Sequence, residues 1–344
     1  MKIQMIWLGM LFLLLSCQEN RKTSIIEAPK GWIVFETPVQ ASLRGLSPVT
    51  ENLVWASGSE GTWLKTIDGG KTWEHGKVNG FDTLDFRDIE GIDASTAIIM
   101  SSGQPALILK TKDGGKSWEK KFEGTDEDFF DGMFFQRKKG VLIGDPANNT
   151  WKIITSNDLG ETWTVSERGP EAKSGAGSFA ASGSTILKDE NRIWFASGGE
   201  ESNIYFSPDG GMHWRKISTP ILQGEPSQGI FSLAKISSNV LVAVGGDYLQ
   251  QDLSEKNVVI SQNGGLEWHL AQGNLPNGYK SGVAYFPFHH WLISVGPSGS
   301  DFSKDGGHNW QKFSDEGFHA VFRDKAQSSI WASGAKGKIA RLDY

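Results

Sequence analysis

The sequence predicts an all-β protein, a closed ring of seven units with four short strands in each, on three observations. The motif S/T-x-D/N-x-G-x-x-W occurs six times, at 66–73, 111–118, 156–163, 207–214, 261–268 and 303–310, with successive copies 45, 45, 51, 54 and 42 residues apart. A self-similar period in this range marks a repeat architecture. The 344 residues hold 42 Gly and 14 Trp and only short apolar runs, which suits many tight turns and short strands. Finally, the last unit lacks the motif, while a strand-like segment near the start has no motif before it.

Each copy of the motif has a physical reading as a hairpin clamp. Its Ser or Thr closes one strand, and its Asp or Asn side chain can accept hydrogen bonds from backbone N–H groups of the turn. Its Gly supplies a positive φ, and its Trp opens the next strand and projects a large apolar side chain between units. Six uses of one residue type point to structure, so Asp68, Asp113, Asp158, Asp209, Asn263 and Asp305 are assigned to the fold and not to chemistry.

The chain in order fits this plan. Residues 1–17 read as an export signal, with an apolar run from Ile6 to Leu15 that is too short to span a bilayer. The run ends in Leu14-Leu15-Ser16-Cys17, which resembles the bacterial lipobox. Cys17, the only cysteine, is therefore expected to carry a lipid. Gln18 in place of Asp predicts an exported lipoprotein of the outer membrane, and 18–30 read as a polar tether.

The first unit reads ASLRGL (41–46), NLVWASGSEG (52–61), TWLKT (62–66) and TWEHGKV (72–78). The second reads LDFRDIEGI, TAIIMSSGQP, ALILKT and SWEKKFEG, and the third DFFDGMFF, GVLIGDP, TWKIITS and TWTVSE. The fourth takes GAGSFAAS (175–182) as its first strand, then RIWFASGGEE, NIYFS and HWRKIS. The fifth gives QGIFSLAKI, VLVAVGGDYL, NVVIS and EWHLAQ, and the sixth KSGVAYF, HWLISVGPSG, SDFSK and NWQKFS. The seventh has FHAVFRD, SIWASGAKG and KIARLDY and then stops one strand short. The segment 31–38 supplies the missing strand, so residues 31–344 are expected to close into a single seven-bladed β-propeller without exposed sheet edges.

The repeats resemble those of the BNR or Asp-box proteins over nearly all of residues 31–344. With SLRGL, WASG, G-x-P and DGGK-T/S-W, the chain is similar to the photosystem II assembly and stability factor family and its non-photosynthetic bacterial relatives. That resemblance implies a seven-bladed propeller that assists assembly of a membrane complex.

Function is less legible. A net charge of −6 without a basic face argues against nucleic acid, and no cofactor or metal motif is present. The His289-His290 pair sits on a strand, where neighbours point to opposite faces. Aligning the inner strands puts Arg44, Arg87 and Asp131 at equivalent positions, with His319 roughly matching and Asp88 and Glu90 as neighbours. The loops between second and third strands add Asp145 and Tyr248. These residues are the candidates for a funnel that binds a protein segment or a glycan; equally, they can pair with one another to line a polar channel. A glycan hydrolase needs two carboxyl groups flanking a sugar bond, which Asp88, Glu90, Asp131 and Asp145 could offer. The Arg-Ile-Pro motif of sialidases is absent. A quinone-type propeller oxidoreductase has no motif to support it. The reading that results is a binding scaffold, reaching the membrane through its lipid alone, with no assigned catalytic residue.

Overall fold

The computed structural model describes residues 28–344, so the export signal, Cys17 and most of the tether lie outside the described residues. Seven four-stranded antiparallel sheets follow one another around a ring, and no helix occurs among the described residues. In six of them the strands lie in chain order, the first innermost. Blade one, for example, runs Leu43–Pro48, Val54–Gly58, Thr62–Thr66 and Glu74–Lys77.

Blade seven is assembled from both ends of the chain. Its three C-terminal strands, Ala320–Arg323, Ile330–Ser333 and Ile339–Asp343, are completed by Gly31–Phe35, which pairs from Gly31 with Asp343 to Phe35 with Ile339. The closing strand adds packing to its hydrogen bonds. Phe35 stacks on Trp331 with centroids 5.3 Å apart and meets Trp73 of blade one edge-on.

The six motifs share one network. In blade one, Thr66 Oγ1 donates to Asp68 Oδ1 (2.8 Å) and accepts from Gly70 N (2.9 Å). Asp68 then accepts from Thr72 N (2.9 Å) and Thr72 Oγ1 (2.6 Å). The same pattern is built around Asp113, Asp158, Asp209 and Asp305; Asn263 accepts from Glu267 N but reverses the outer bond, its Nδ2 donating to Glu267 (3.2 Å). These bonds to the charged form hold Asp68, Asp113, Asp158 and Asp209 at about 2, the hydroxyl or imidazole at the fourth position after each being the largest cause.

The motif's second Gly has a further duty that its φ alone does not explain. A Cβ on Gly115 would stand 2.6 Å from the Trp63 ring, one on Gly265 2.4 Å from Trp194, and one on Gly70 2.8 Å from Phe35. Each of these aromatics belongs to the preceding blade, so the turn is pressed onto its neighbour.

Blade four departs from the expected strand plan. Its inner strand is Ile186–Asp189, not 175–182. Residues 175–185 instead leave the sheet and cross the central channel, meeting the ladders through a bridge from Gly177 to Gly198 and through Thr185 O and Ser184 O, which accept from Ala196 N (3.0 Å) and Leu233 N (2.8 Å). Gly175 and Gly183, at φ 78° and 70°, turn the segment out of strand geometry, and its hydroxyls find partners on other blades.

Packing of the closing strand gives a direct test. Phe35→Ala is expected to destabilise the ring by about 2 kcal/mol, below the 3–5 typical of a fully buried Phe because Phe35 is only half-buried. Val34→Ala, on the exposed face of the same strand, should stay within about 0.5 kcal/mol. Urea unfolding of both variants checks the difference; equal effects would remove the closing strand's packing role.

Candidate functional site

The site begins with a backbone irregularity. The inner strands of blades one, two, three and five each carry a register shift that leaves one residue without a partner on the second strand. These residues are Arg44, Arg87, Asp131 and Phe231. A bulge of this kind re-aims its side chain, and all four residues stand at the start of an inner strand, where the ring is narrowest.

They meet around a cavity of about 490 Å³ on the face opposite the motifs. Its walls include Arg44, Arg87, Asp145, Phe179, Phe231, Tyr248, Tyr279 and His319. Five of the eight residues singled out in the sequence, Arg44, Arg87, Asp145, Tyr248 and His319, are thus brought together, with Asp131 buried beside Asp145.

The other two are placed elsewhere, which corrects the expectation that they face the funnel. Glu90 lies three residues beyond Arg87, about 10 Å at strand rise, at the opposite mouth, where Lys325 Nζ binds it at 2.7 Å. Asp88 is buried in the channel between the mouths and accepts from Met133 N (2.7 Å) and Ile89 N (2.8 Å). Burial, which outweighs those two bonds, raises the Asp88 carboxyl to about 7.

The crossing segment forms the cavity floor, and sequence reasoning did not foresee it. Phe179 stacks face to face on Phe231 at 3.8 Å and 6°, and Tyr248 meets both rings edge-on at 6.3 Å. Ser178 N donates to Asp145 (2.9 Å), and Arg44 donates to Ala181 O (3.1 Å). Ser182 Oγ donates to Ser281 O (2.8 Å), while Ser184 and Ser232 share a 2.6 Å hydrogen bond. One segment from blade four is therefore held by blades one, three, five and six. The available signal was the spacing: its motif comes 51 residues after the previous one, where the two before it kept 45.

Charge is unevenly satisfied here. Arg87 Nε donates to Asp85 at 2.7 Å. Arg44 has no carboxylate partner among the described residues; burial first, then the nearby Arg87, lower its pKa. His319 offers no compensation. Burial, then Arg44 and Arg87, push its pKa to about 4, so it is neutral at pH 7, with Nε2 3.1 Å from Ser42 Oγ. On the other wall, burial and the neighbouring Asp145 carboxyl hold Asp131 well above the usual carboxylate range. Neither Asp131 oxygen has a hydrogen-bond partner among the described residues, so burial and the nearby Asp145 charge both favour its neutral form. Asp88 is likewise buried, and Glu90 is tied to Lys325.

Comparison with known proteins agrees with the architecture. The family model described as photosynthesis system II assembly factor YCF48 matches residues 26–124, the closing strand and first two blades. No curated protein matches the sequence. A structure of YCF48 bound to D1 peptide superposes with TM-score 0.66 and 16% identity over 93% of this chain and 96% of that one. YCF48 from Cyanidioschyzon merolae gives 0.64 and 15% over 92% and 99%. The GH74 enzyme of Niastella koreensis gives 0.60 and 15% over 90% of this chain but 53% of its own. At these identities the structural likeness is one of fold. The chain is a seven-bladed propeller similar to the photosystem II assembly factor.

Two titration outcomes follow from the electrostatics. The NMR titration of His319 should fall near pH 4, and Arg44→Leu should move it up, toward the ordinary value; an unchanged midpoint would place Arg44 away from the imidazole. For Asp131 the folded pKa is raised, so the stability it contributes is complete below the unfolded value near 3.9 and is lost as pH rises through the folded value. Asp131→Asn should therefore gain stability relative to the unchanged protein as pH rises above the unfolded value in urea unfolding; no relative gain would mean that burial does not raise the Asp131 carboxyl.

Proposed function

We propose that this chain is a lipid-anchored, extracytoplasmic scaffold whose funnel holds an acidic segment of a partner protein. The observation that carries this reading is Arg44, a half-buried guanidinium on the cavity wall without a carboxylate partner. Burying an uncompensated charge is unfavourable, so a site that keeps one is suited to receive the opposite charge from a ligand. A carboxylate on an incoming segment would meet Arg44 directly and Arg87 beside it, in a cavity where bidentate pairing is strong.

The aromatic floor supplies the apolar part of recognition. Phe179 and Phe231 present a stacked pair, and Tyr248 and Leu249 stand exposed at the rim, 41% and 74% accessible. Rim aromatics beside a buried cation are the residue types that anchor protein interfaces. The loop carrying them is fixed through Asp247, which accepts from Leu249 N at 2.9 Å and Gln228 Nε2 at 3.2 Å. The D1 peptide bound by the similar YCF48 propeller supports a polypeptide ligand. The lipid on Cys17 would keep the ring at the membrane, most simply the outer membrane as Gln18 suggests.

Affinity capture of the intact protein from its own membranes tests the reading. A partner recovered with the unchanged chain should drop at least about tenfold with Arg44→Ala/Arg87→Ala, the loss of one charge-assisted contact or more. Equal recovery from the double variant would overturn it.

A further inference from the structure

The channel's other mouth, on the motif face, opens into a cavity of about 590 Å³ that the funnel reading leaves unused. Every blade contributes to it, and the walls are mainly apolar, with Met133, Leu187, Leu233, Val283 and Phe322 among them. Gly183 and Ser184 of the crossing segment close its inner end. It is a dead-end bowl in the size range of small-molecule sites, with no route through for a polypeptide.

Its carboxylates are all satisfied internally. Asp88 takes two backbone N–H groups, and Glu90 takes Lys325. Asp189 takes Lys235 at 2.9 Å as well as Arg192, and Asp324 accepts from Ser328 N (2.7 Å), Ser328 Oγ (2.6 Å) and Ser329 Oγ (3.1 Å). Its cations are not all satisfied. Arg137, Lys188 and Arg323 line the same cavity, and none has a carboxylate partner among the described residues. They come from blades three, four and seven, so positive charge stands on separate sides of the rim. Burial is the largest cause lowering both Lys188 and Arg323, and it outweighs the nearby Asp189, Glu190 and Asp324 charges; Lys188 Nζ donates to Glu190 O and to no carboxylate.

An apolar bowl with excess positive charge at its lip matches one ligand chemistry. We propose that this mouth is a binding site for a small amphiphilic acid, its hydrocarbon body in the bowl and its carboxylate on Arg323 and Lys188. A sugar or nucleotide would bury its hydroxyls against walls with few free partners. A neutral hydrocarbon would leave the cations uncompensated. The site is independent of the funnel, since the crossing segment separates the two cavities.

The test uses the whole protein, with decanoate and its neutral analogue decan-1-ol displacing 1-anilinonaphthalene-8-sulfonate fluorescence. Decanoate should displace the dye saturably. Arg323→Leu should weaken decanoate about tenfold and leave decan-1-ol unchanged. Leu233→Trp, which fills the bowl, should abolish both, and Arg44→Leu at the far mouth should alter neither. Near-ultraviolet circular dichroism confirms folding; should Arg323→Leu not fold, Lys188→Gln replaces it with the same expectation. No saturable displacement by decanoate, equal weakening of acid and alcohol by the charge variant, or loss on Arg44→Leu would each overturn the proposal.

Discussion

The structure depends on how closely each motif turn approaches the blade before it. A turn with positive φ at its second Gly can lie flat against a neighbouring ring or branched side chain, and any Cβ there would collide with Trp63, Trp194, Phe35 or Ile98. The Asp or Asn that caps the turn fixes its shape, and the Trp that follows packs back toward the same seam, as Trp118 does on Trp63 at 6.4 Å. Blade-to-blade packing thus draws on a local device that presses four of the six motif turns onto the preceding blade. It holds the inner strands at a spacing that leaves a channel, and the channel is where all unusual chemistry gathers.

Two departures from regular strand geometry turn that channel into sites. Bulges at the inner-strand starts swing Arg44, Arg87, Asp131 and Phe231 together. The crossing segment of blade four then divides the channel, giving each mouth a closed floor. Both mouths share an electrostatic theme, in which carboxylates find partners or protons while some cations do not. The funnel combines Arg44 with stacked aromatics. The motif-face bowl combines Arg323 and Lys188 with aliphatic walls. One ring therefore presents two cavities that each hold cations without a carboxylate partner but differ in their walls, the first proposed for an acidic polypeptide and the second for a small acid.

Most of the fold was legible because its signals are short-range. The hairpin motif lies within eight residues, and strand alternation and turn glycines act over similar distances. The ring closure was legible too, since one strand was missing at the end and one was spare at the start, and Gly31–Phe35 does pair with Ile339–Asp343. The segment 175–182 was misread for an instructive reason. Its small and aromatic residues resemble those of a buried strand, and nothing local shows that the Ser182 hydroxyl will bond to Ser281, 99 residues away.

The sequence by itself determined the number of blades, the closure between termini and the structural duty of Asp68 and its counterparts, because each follows from residues adjacent in the chain. Five of the eight candidates line one cavity, placed there by inner-strand starts and by the loops between second and third strands. Only the tertiary structure decided that Arg44 lacks a counter-ion, that Asp131 is buried without a hydrogen-bond partner beside Asp145, and that Asp88 and Glu90 serve the channel interior and the opposite mouth. Those properties depend on which groups from different blades meet in a low-dielectric space. Neither a register shift of one residue nor a segment that crosses the channel is written in any local pattern.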